Sequence, residues 1–233
     1  AGRLTLSGVA VTAGQVVSVA DLTAGNLVFT PAANANGTGY ARLTFSVRDS
    51  ATAYDPTPNT LTLNVTAVND APTDLSLSAN TVAENAANGT VVGTVTGTDV
   101  DAGETKSYTF TNSAGGRFAI NRTTGVITVA NGTLLNYEAA TSHTVTVRVT
   151  DRGGLTYHET FTINLTNVND APTGTTATVT FPEDTSHTFT SANFGFSDAD
   201  VGDSFSAVRI DTVPTAGRLT LSGVAVTAGQ VVS

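Results

Sequence analysis

The sequence predicts an all-β chain of tandem Greek-key, seven-stranded β-sandwiches arranged end to end, and three observations predict it. Residues 143–150 alternate, with Val145, Val147 and Val149 on one face and Thr144, Thr146 and Arg148 on the other, and Phe161, Ile163 and Leu165 do the same. A period of two is the mark of a half-buried strand. Gly, Asn and Asp punctuate the runs, at 121–125, 131–132 and 153–154, the spacing of short strands joined by tight turns, and no helical period of useful length intervenes. The segment AGRLTLSGVAVTAGQVVS at 1–18 recurs letter for letter at 216–233, a period of 215 residues. Self-similarity at a fixed period marks a tandem array.

A weaker repeat sets the joints: AVNDAPT at 67–73 returns as NVNDAPT at 167–173. The division expected from these joints has three parts. Residues 73–172 are one complete sandwich, 1–72 the C-terminal part of a split sandwich, and 173–233 the N-terminal part of that module's next copy. Each half alone would expose an apolar face and open strand edges, so adjoining copies are expected to complete it, either within one chain or between chains.

Taken in order, the complete module offers seven strands near 74–79, 91–98, 105–110, 117–120, 125–130, 142–150 and 156–166. The split module offers strands at 177–181, 205–210 and 218–221, continued by 27–30, 41–48 and 60–66.

Charge and composition narrow the partners. Ten basic residues against 19 acidic ones give a net charge of -9, Lys106 is the sole lysine and the arginines are scattered. Nucleic acid and anionic membranes are therefore excluded as expected partners. No apolar run approaches the length that crosses a bilayer, so no membrane insertion is expected of this segment. A stretch from within an array would carry no signal peptide of its own. With no cysteine, stability rests on burial, hydrogen bonds or bound ions.

The acids concentrate in loops and at strand ends: Asp49, Asp70, Glu84, Asp99, Asp101, Glu138, Asp151, Asp170, Glu183, Asp198 and Asp200. Clustered carboxylates repel unless a cation neutralises them, and an oxygen-rich set with Asn side chains suits Ca²⁺. Taken singly, any one of these acids reads as a solvated turn residue.

The order of Ala83-Glu84-Asn85, Asp99-Val100-Asp101, Leu135-Asn136-Tyr137-Glu138, Asp151-Arg152-Gly153 and Asn167-Val168-Asn169-Asp170-Ala171-Pro172 resembles a cadherin repeat, and with it an immunoglobulin-like sandwich. The split module, with Pro182-Glu183-Asp184, Asp198-Ala199-Asp200, FTPAANANGTG at 29–39 and Asp49, resembles related cadherin-like repeats of giant bacterial surface adhesins. The resemblance implies Ca²⁺ held between modules. At the second joint it implicates Glu84, Glu138, Asn169, Asp170, Asp198 and Asp200; at the first, Asn69, Asp70, Asp99, Asp101 and Asp151. Glu183 and Asp49 would serve through neighbouring copies. Asn136, where the family places Asp, and Ala67 and Asn167 at the first linker position mean fewer charges and fewer or weaker ions.

The implied function is that of a structural spacer in an extracellular adhesin or surface filament of prokaryotic type, stiffened by calcium and partnered by adjoining copies of the same repeat. An adhesive module that binds carbohydrate or a partner surface is the other reading, with Tyr40, Tyr54 and Tyr157 as its candidates. Catalysis is not expected, because His143, His158 and His187 stand apart and no nucleophile elbow is present. Six Asn-x-Thr sequons, at Asn36, Asn64, Asn88, Asn121, Asn131 and Asn164, are close to what this composition yields unselected, so they leave glycosylation open.

Overall fold

In the computed structural model, residues 2–233 are described, so Ala1 of the repeated segment lies outside the described residues. The chain is built from strands β1 (Arg3–Leu6), β2 (Val9–Ala10), β3 (Leu27–Thr30), β4 (Gly37–Phe45) and β5 (Asn59–Val65), with a short helix α1 (Val19–Thr23) before β3. The central strands are β6 (Asp74–Leu77), β7 (Thr81–Ala83), β8 (Val91–Thr98), β9 (Ser107–Asn112), β10 (Phe118–Ile120), β11 (Val126–Val129), β12 (Ser142–Thr150) and β13 (Thr156–Thr166). Strands β14 (Val208–Ile210), β15 (Thr220–Leu221), β16 (Val224–Ala225) and β17 (Gln230–Val232) follow.

Two four-stranded sheets, ordered β10-β11-β8-β6 and β7-β13-β12-β9, face each other in the centre. The chain crosses between them from β8 to β9, β9 to β10 and β11 to β12, the Greek-key connectivity expected of a sandwich. The alternation read from sequence produces the core directly. Val145, Val147, Val149 and Ile163 are fully buried, and close on Val95, Phe118, Ile127 and Val129 of the facing sheet. Burying such a side chain stabilises by about 1.5–3 kcal/mol each.

The first expected strand, at 74–79, ends at Leu77 as β6, and an unexpected strand, β7, follows at Thr81–Ala83. β6 pairs with β8 in one sheet, and β7 runs parallel to β13 in the other, Leu165 opposite Val82. The switch at residues 78–80 passes directly over Gly93, where any Cβ would overlap the Ala79 carbonyl oxygen. Only glycine on the underlying strand permits that crossing, and the central module consequently has eight strands rather than seven.

The flanking portions form smaller sheets, β2-β1-β3 and the pairs β4-β5, β14-β17 and β15-β16. The repeated segment folds alike in both places: Leu6 pairs with Val9 and Leu221 with Val224. The turn residues Ser7-Gly8 (φ 47° and 82°) and Ser222-Gly223 (φ 49° and 83°) share the left-handed conformation of a tight hairpin. Its surroundings differ, since β1 pairs with β3 whereas β17 pairs with β14. The strand expected at 177–181 is not formed, and those at 41–48 and 60–66 shift to β4 and β5. Helix α1 was not anticipated; Ser18 caps it by accepting the Asp21 N–H at 3.0 Å. Val226 is the one hydrophobic residue outside the central sandwich that is buried, among the described residues.

Candidate functional site

The two joints are constructed alike, because each linker threads its backbone N–H onto an Asp-x-Asp loop of the module that follows. At the first joint the Asp70 N–H donates to Asp101 Oδ2 at 2.8 Å, and the Asp101 N–H to Asp99 Oδ1 at 3.0 Å. At the second, the Asp170 N–H donates to Asp200 Oδ2 at 2.6 Å, and the Asp200 N–H to Asp198 Oδ1 at 3.0 Å. Within each loop one carboxylate folds back on its own backbone and presents the next to the linker. Bonds of this kind to an ionised acceptor are the short, strong class.

The first joint also gathers Asn69 and Asp151, the Asn69 amide donating to Asp151 Oδ2 at 2.8 Å. Asp151 in turn receives the Leu155 N–H at 2.8 Å. Burial pushes the Asp151 carboxyl up, but the Asn69 amide and the N–H groups of Leu155, Gly154 and Gly153 outweigh it, so the carboxyl sits below its ordinary value. The residues proposed from sequence for this joint, Asn69, Asp70, Asp99, Asp101 and Asp151, are therefore brought together. Asp99 Oδ2 is buried without a hydrogen-bond partner.

The second joint adds carboxylates from the module before it. Glu84, only 2% exposed, accepts the Tyr137 N–H at 2.7 Å and the Val168 N–H at 2.8 Å. It thus clamps the 135–138 loop and the linker to one another. Ligand atoms of Glu84, Glu138 and Asp170 lie within 4.8 Å of one another. The Glu138 carboxyl is drawn down by its own backbone N–H, but burial and the charges of Glu84, Asp200 and Asp170 prevail and raise it. Its Oε2 is buried without a partner. The donor set is wholly oxygen, and the orphaned oxygens of Asp99 and Glu138 are what a hard divalent cation would satisfy.

Several sequence assignments fall elsewhere. Asn169 donates to the Asp170 carbonyl at 2.7 Å and reaches no second module. Asp49 is exposed and accepts the Ala53 N–H at 2.8 Å, and Glu183 is exposed; neither joins either cluster in this chain. Asn136 accepts the Ala139 N–H at 2.6 Å and so shapes its own loop.

Other contributors were missed. The Asn167 amide donates to Asp200 Oδ1 at 2.9 Å, tightening the joint from the linker position noted only as a departure. Asp203 completes a second close group with Asp198 and Asp200, and Glu104 stands at the matching place after Asp101, where it accepts the Arg152 N–H at 3.0 Å. The shared spacing of Asp99, Asp101 and Glu104 with Asp198, Asp200 and Asp203 was the available signal. The loop at 30–36 and the linker at 65–68 line one hollow with Asp70 and Asp101, so the Asn-rich segment reaches the first joint.

The tyrosine candidates make no shared platform. Tyr40 packs edge-on against Phe29, Tyr157 lies against the core, and Tyr54 is half exposed beneath the Arg48 guanidinium. No described helix is long and apolar enough to cross a membrane.

Residues 79–166 match the Cadherin domain family. The chain is 31% identical over 96 residues to human Protocadherin beta-1, covering 39% of this chain and 12% of that protein. It is 34% identical over 99 residues to human Cadherin-related family member 2, covering 41% and 8%. It therefore spans only a small part of each relative's length. The crystal structure of the human Desmocollin-1 ectodomain is 27% identical and superposes with a TM-score of 0.40, over 58% of this chain and 28% of that one.

Proposed function

We propose that this chain, whose central sandwich is a cadherin-like repeat, is a structural spacer of an extracellular adhesin or surface filament whose joints are locked by calcium. The observation that carries the reading is the convergence of carboxylates from two modules and their linker. Glu84 and Glu138 precede the second linker, Asp170 lies in it, and Asp200 follows it; all are coupled through short hydrogen bonds or mutual charge.

Without a cation such a group repels itself, and the buried oxygens of Glu138 and Asp99 lack partners. Bound there, Ca²⁺ would supply positive charge and six to eight coordination positions. Glu84, Glu138, Asp170, Asp198 and Asp200 would hold it at the second joint, and Asn69, Asp70, Asp99, Asp101 and Asp151 at the first, with Glu183 and Asp49 serving joints formed with neighbouring copies. Because the ligands come from both modules, they are satisfied together in only one relative orientation. Extracellular modules of this chemistry bind at roughly 10⁻⁴ to 10⁻³ M, so the rod would stiffen outside the cell.

Calorimetric titration of the 233-residue chain with calcium tests the reading. Saturable binding that weakens in an Asp200→Asn variant is expected; no heat beyond dilution would refute it.

A further inference from the structure

We propose that Asn36-Gly37 is a self-modifying site, whose spontaneous deamidation places a carboxylate in the first joint where the second joint holds Glu138. The effect on the joint rests on the calcium reading, whereas the conversion itself does not, so the two fail separately.

Asn36 occupies the place of Glu138. The β4–β5 hairpin repeats β12–β13, Leu43 standing opposite Leu61 as Val145 stands opposite Phe161. The turn that follows is closed alike, the Asp49 N–H donating to the Ala53 carbonyl as the Asp151 N–H does to that of Leu155. Asn36 stands 13 residues before Asp49, and Glu138 stands 13 residues before Asp151. The residues leading to them correspond as well, Ala33-Asn34-Ala35-Asn36 against Leu135-Asn136-Tyr137-Glu138. The surroundings agree with the count. Glu138 feels the charges of Asp170 and Asp200, and Asn36 lines one hollow with their counterparts Asp70 and Asp101. The first joint thus carries a neutral amide where the second carries an acid.

That amide is followed by Gly37, whereas Glu138 is followed by Ala139. Glycine has no side chain to shield its nitrogen or restrict its approach. The Gly37 backbone nitrogen attacks Asn36 Cγ, the bond from Cγ to Nδ2 breaks, and ammonia leaves with the Gly37 proton. Water then opens the cyclic imide at either carbonyl, giving aspartate or isoaspartate, each with one free carboxylate.

The sequence Asn-Gly-Thr occurs at Asn36, Asn88 and Asn131, and the fold restrains the last two. Asn88 Oδ1 accepts the Gly132 N–H at 2.9 Å, while the Gly89 N–H is held by the Val129 carbonyl at 2.8 Å. Asn131 Oδ1 accepts the Thr133 N–H at 3.2 Å and its hydroxyl at 2.7 Å, and Gly132 is packed against the Ala86 carbonyl. Asn36, by contrast, is exposed and directly precedes the break in register between β4 and β5. No other residue lies within 4 Å of where a Cβ of Gly37 would sit.

The full chain, held in mildly alkaline buffer at physiological temperature, is followed by peptide mass spectrometry. Asn36 is expected to convert to completion while Asn88 and Asn131 remain amides, and Asn36→Gln to remove the conversion. An Asn36 that persists as the amide, or converts no faster than Asn88 and Asn131, would overturn the proposal. Calorimetric calcium titration in an Asp200→Asn background, which weakens the second joint, then compares fresh, aged and Asn36→Asp chains. The added carboxylate is expected to tighten binding at the first joint by about tenfold, because ligand charge count sets affinity at such sites. Equal affinity of the fresh and Asn36→Asp chains would also overturn the proposal. No calcium heat in any chain would sink the calcium reading and with it the carboxylate's role at the joint, while conversion at Asn36 would stand on its mass readout.

Discussion

Replacing Glu84 by Ala separates its two jobs. The carboxylate receives two backbone N–H groups, from Tyr137 and Val168, at a site 2% exposed. Leaving two buried donors unmade costs about 1–3 kcal/mol each, about 2–6 kcal/mol together. Against this, the substitution removes a negative charge within 4.8 Å of Asp170. That repulsion is worth about 1 kcal/mol at the dielectric of water and about 3.5 kcal/mol at an effective dielectric of about 20, and Glu138 adds to it with the same sign. In chelator the two effects oppose each other, and the net loss shrinks. With calcium bound the repulsion is already neutralised, so the full hydrogen-bond loss appears along with the loss of a ligand. The expected destabilisation is therefore greater in calcium by about 1–3.5 kcal/mol, at least about 4 °C in the melting temperature of a domain this size. Calorimetric melts of both proteins in both buffers measure it. Equal drops in the two buffers, or a larger drop in chelator, would refute the reasoning.

The pH dependence has a definite sign. Glu138 is raised in the folded state by burial and its acidic neighbours, so without calcium stability falls as pH rises from the ordinary glutamate value of 4.5 through the raised one. Melts across that window in chelator should show this slope, and Glu138→Gln should flatten it. Asp151 is lowered, so its contribution is present above the ordinary aspartate value of 3.8 and is lost as pH falls through the depressed one; Asp151→Asn should remove that acid limb from the same titration. Ile163→Ala in the buried face of β13 should cost about 2–5 kcal/mol by urea unfolding. Leu63→Ala, at the equivalent place on the uncovered β5, should cost clearly less in the same chain. Gly93→Ala should destabilise by about 1–3 kcal/mol through overpacking against the Ala79 carbonyl, again read by urea unfolding.

Much of the central module was legible because its strands obey a period of two. The alternating valines of β12 and the Phe161, Ile163, Leu165 face of β13 required no tertiary information, and both strands formed where the pattern placed them. The switch from β6 to the added strand β7 was not legible. It depends on Gly93 admitting a crossing backbone, a contact between residues remote in sequence. The strand expected at 177–181 fails for a different reason. Alternation alone does not hold a strand without a neighbour, and that segment has no sheet partner here. At the joints, the repeated Asp-x-Asp and Asn-Asp motifs located the carboxylates, but not the donors that orient them. The backbone N–H groups of Tyr137 and Val168 carry no sequence signal, since any residue there except proline would offer the same group. Asn167 was noticed only as a missing charge, and its amide bond to Asp200 emerged once the linker was folded against the loop.

The claim that calcium fixes the orientation of successive modules is tested most directly by small-angle X-ray scattering of the 233-residue chain in millimolar calcium and in excess chelator, at concentrations low enough to suppress association. The account predicts a longer, stiffer particle with calcium, and a shorter, more flexible one without it. Superimposable scattering curves in the two conditions would contradict it.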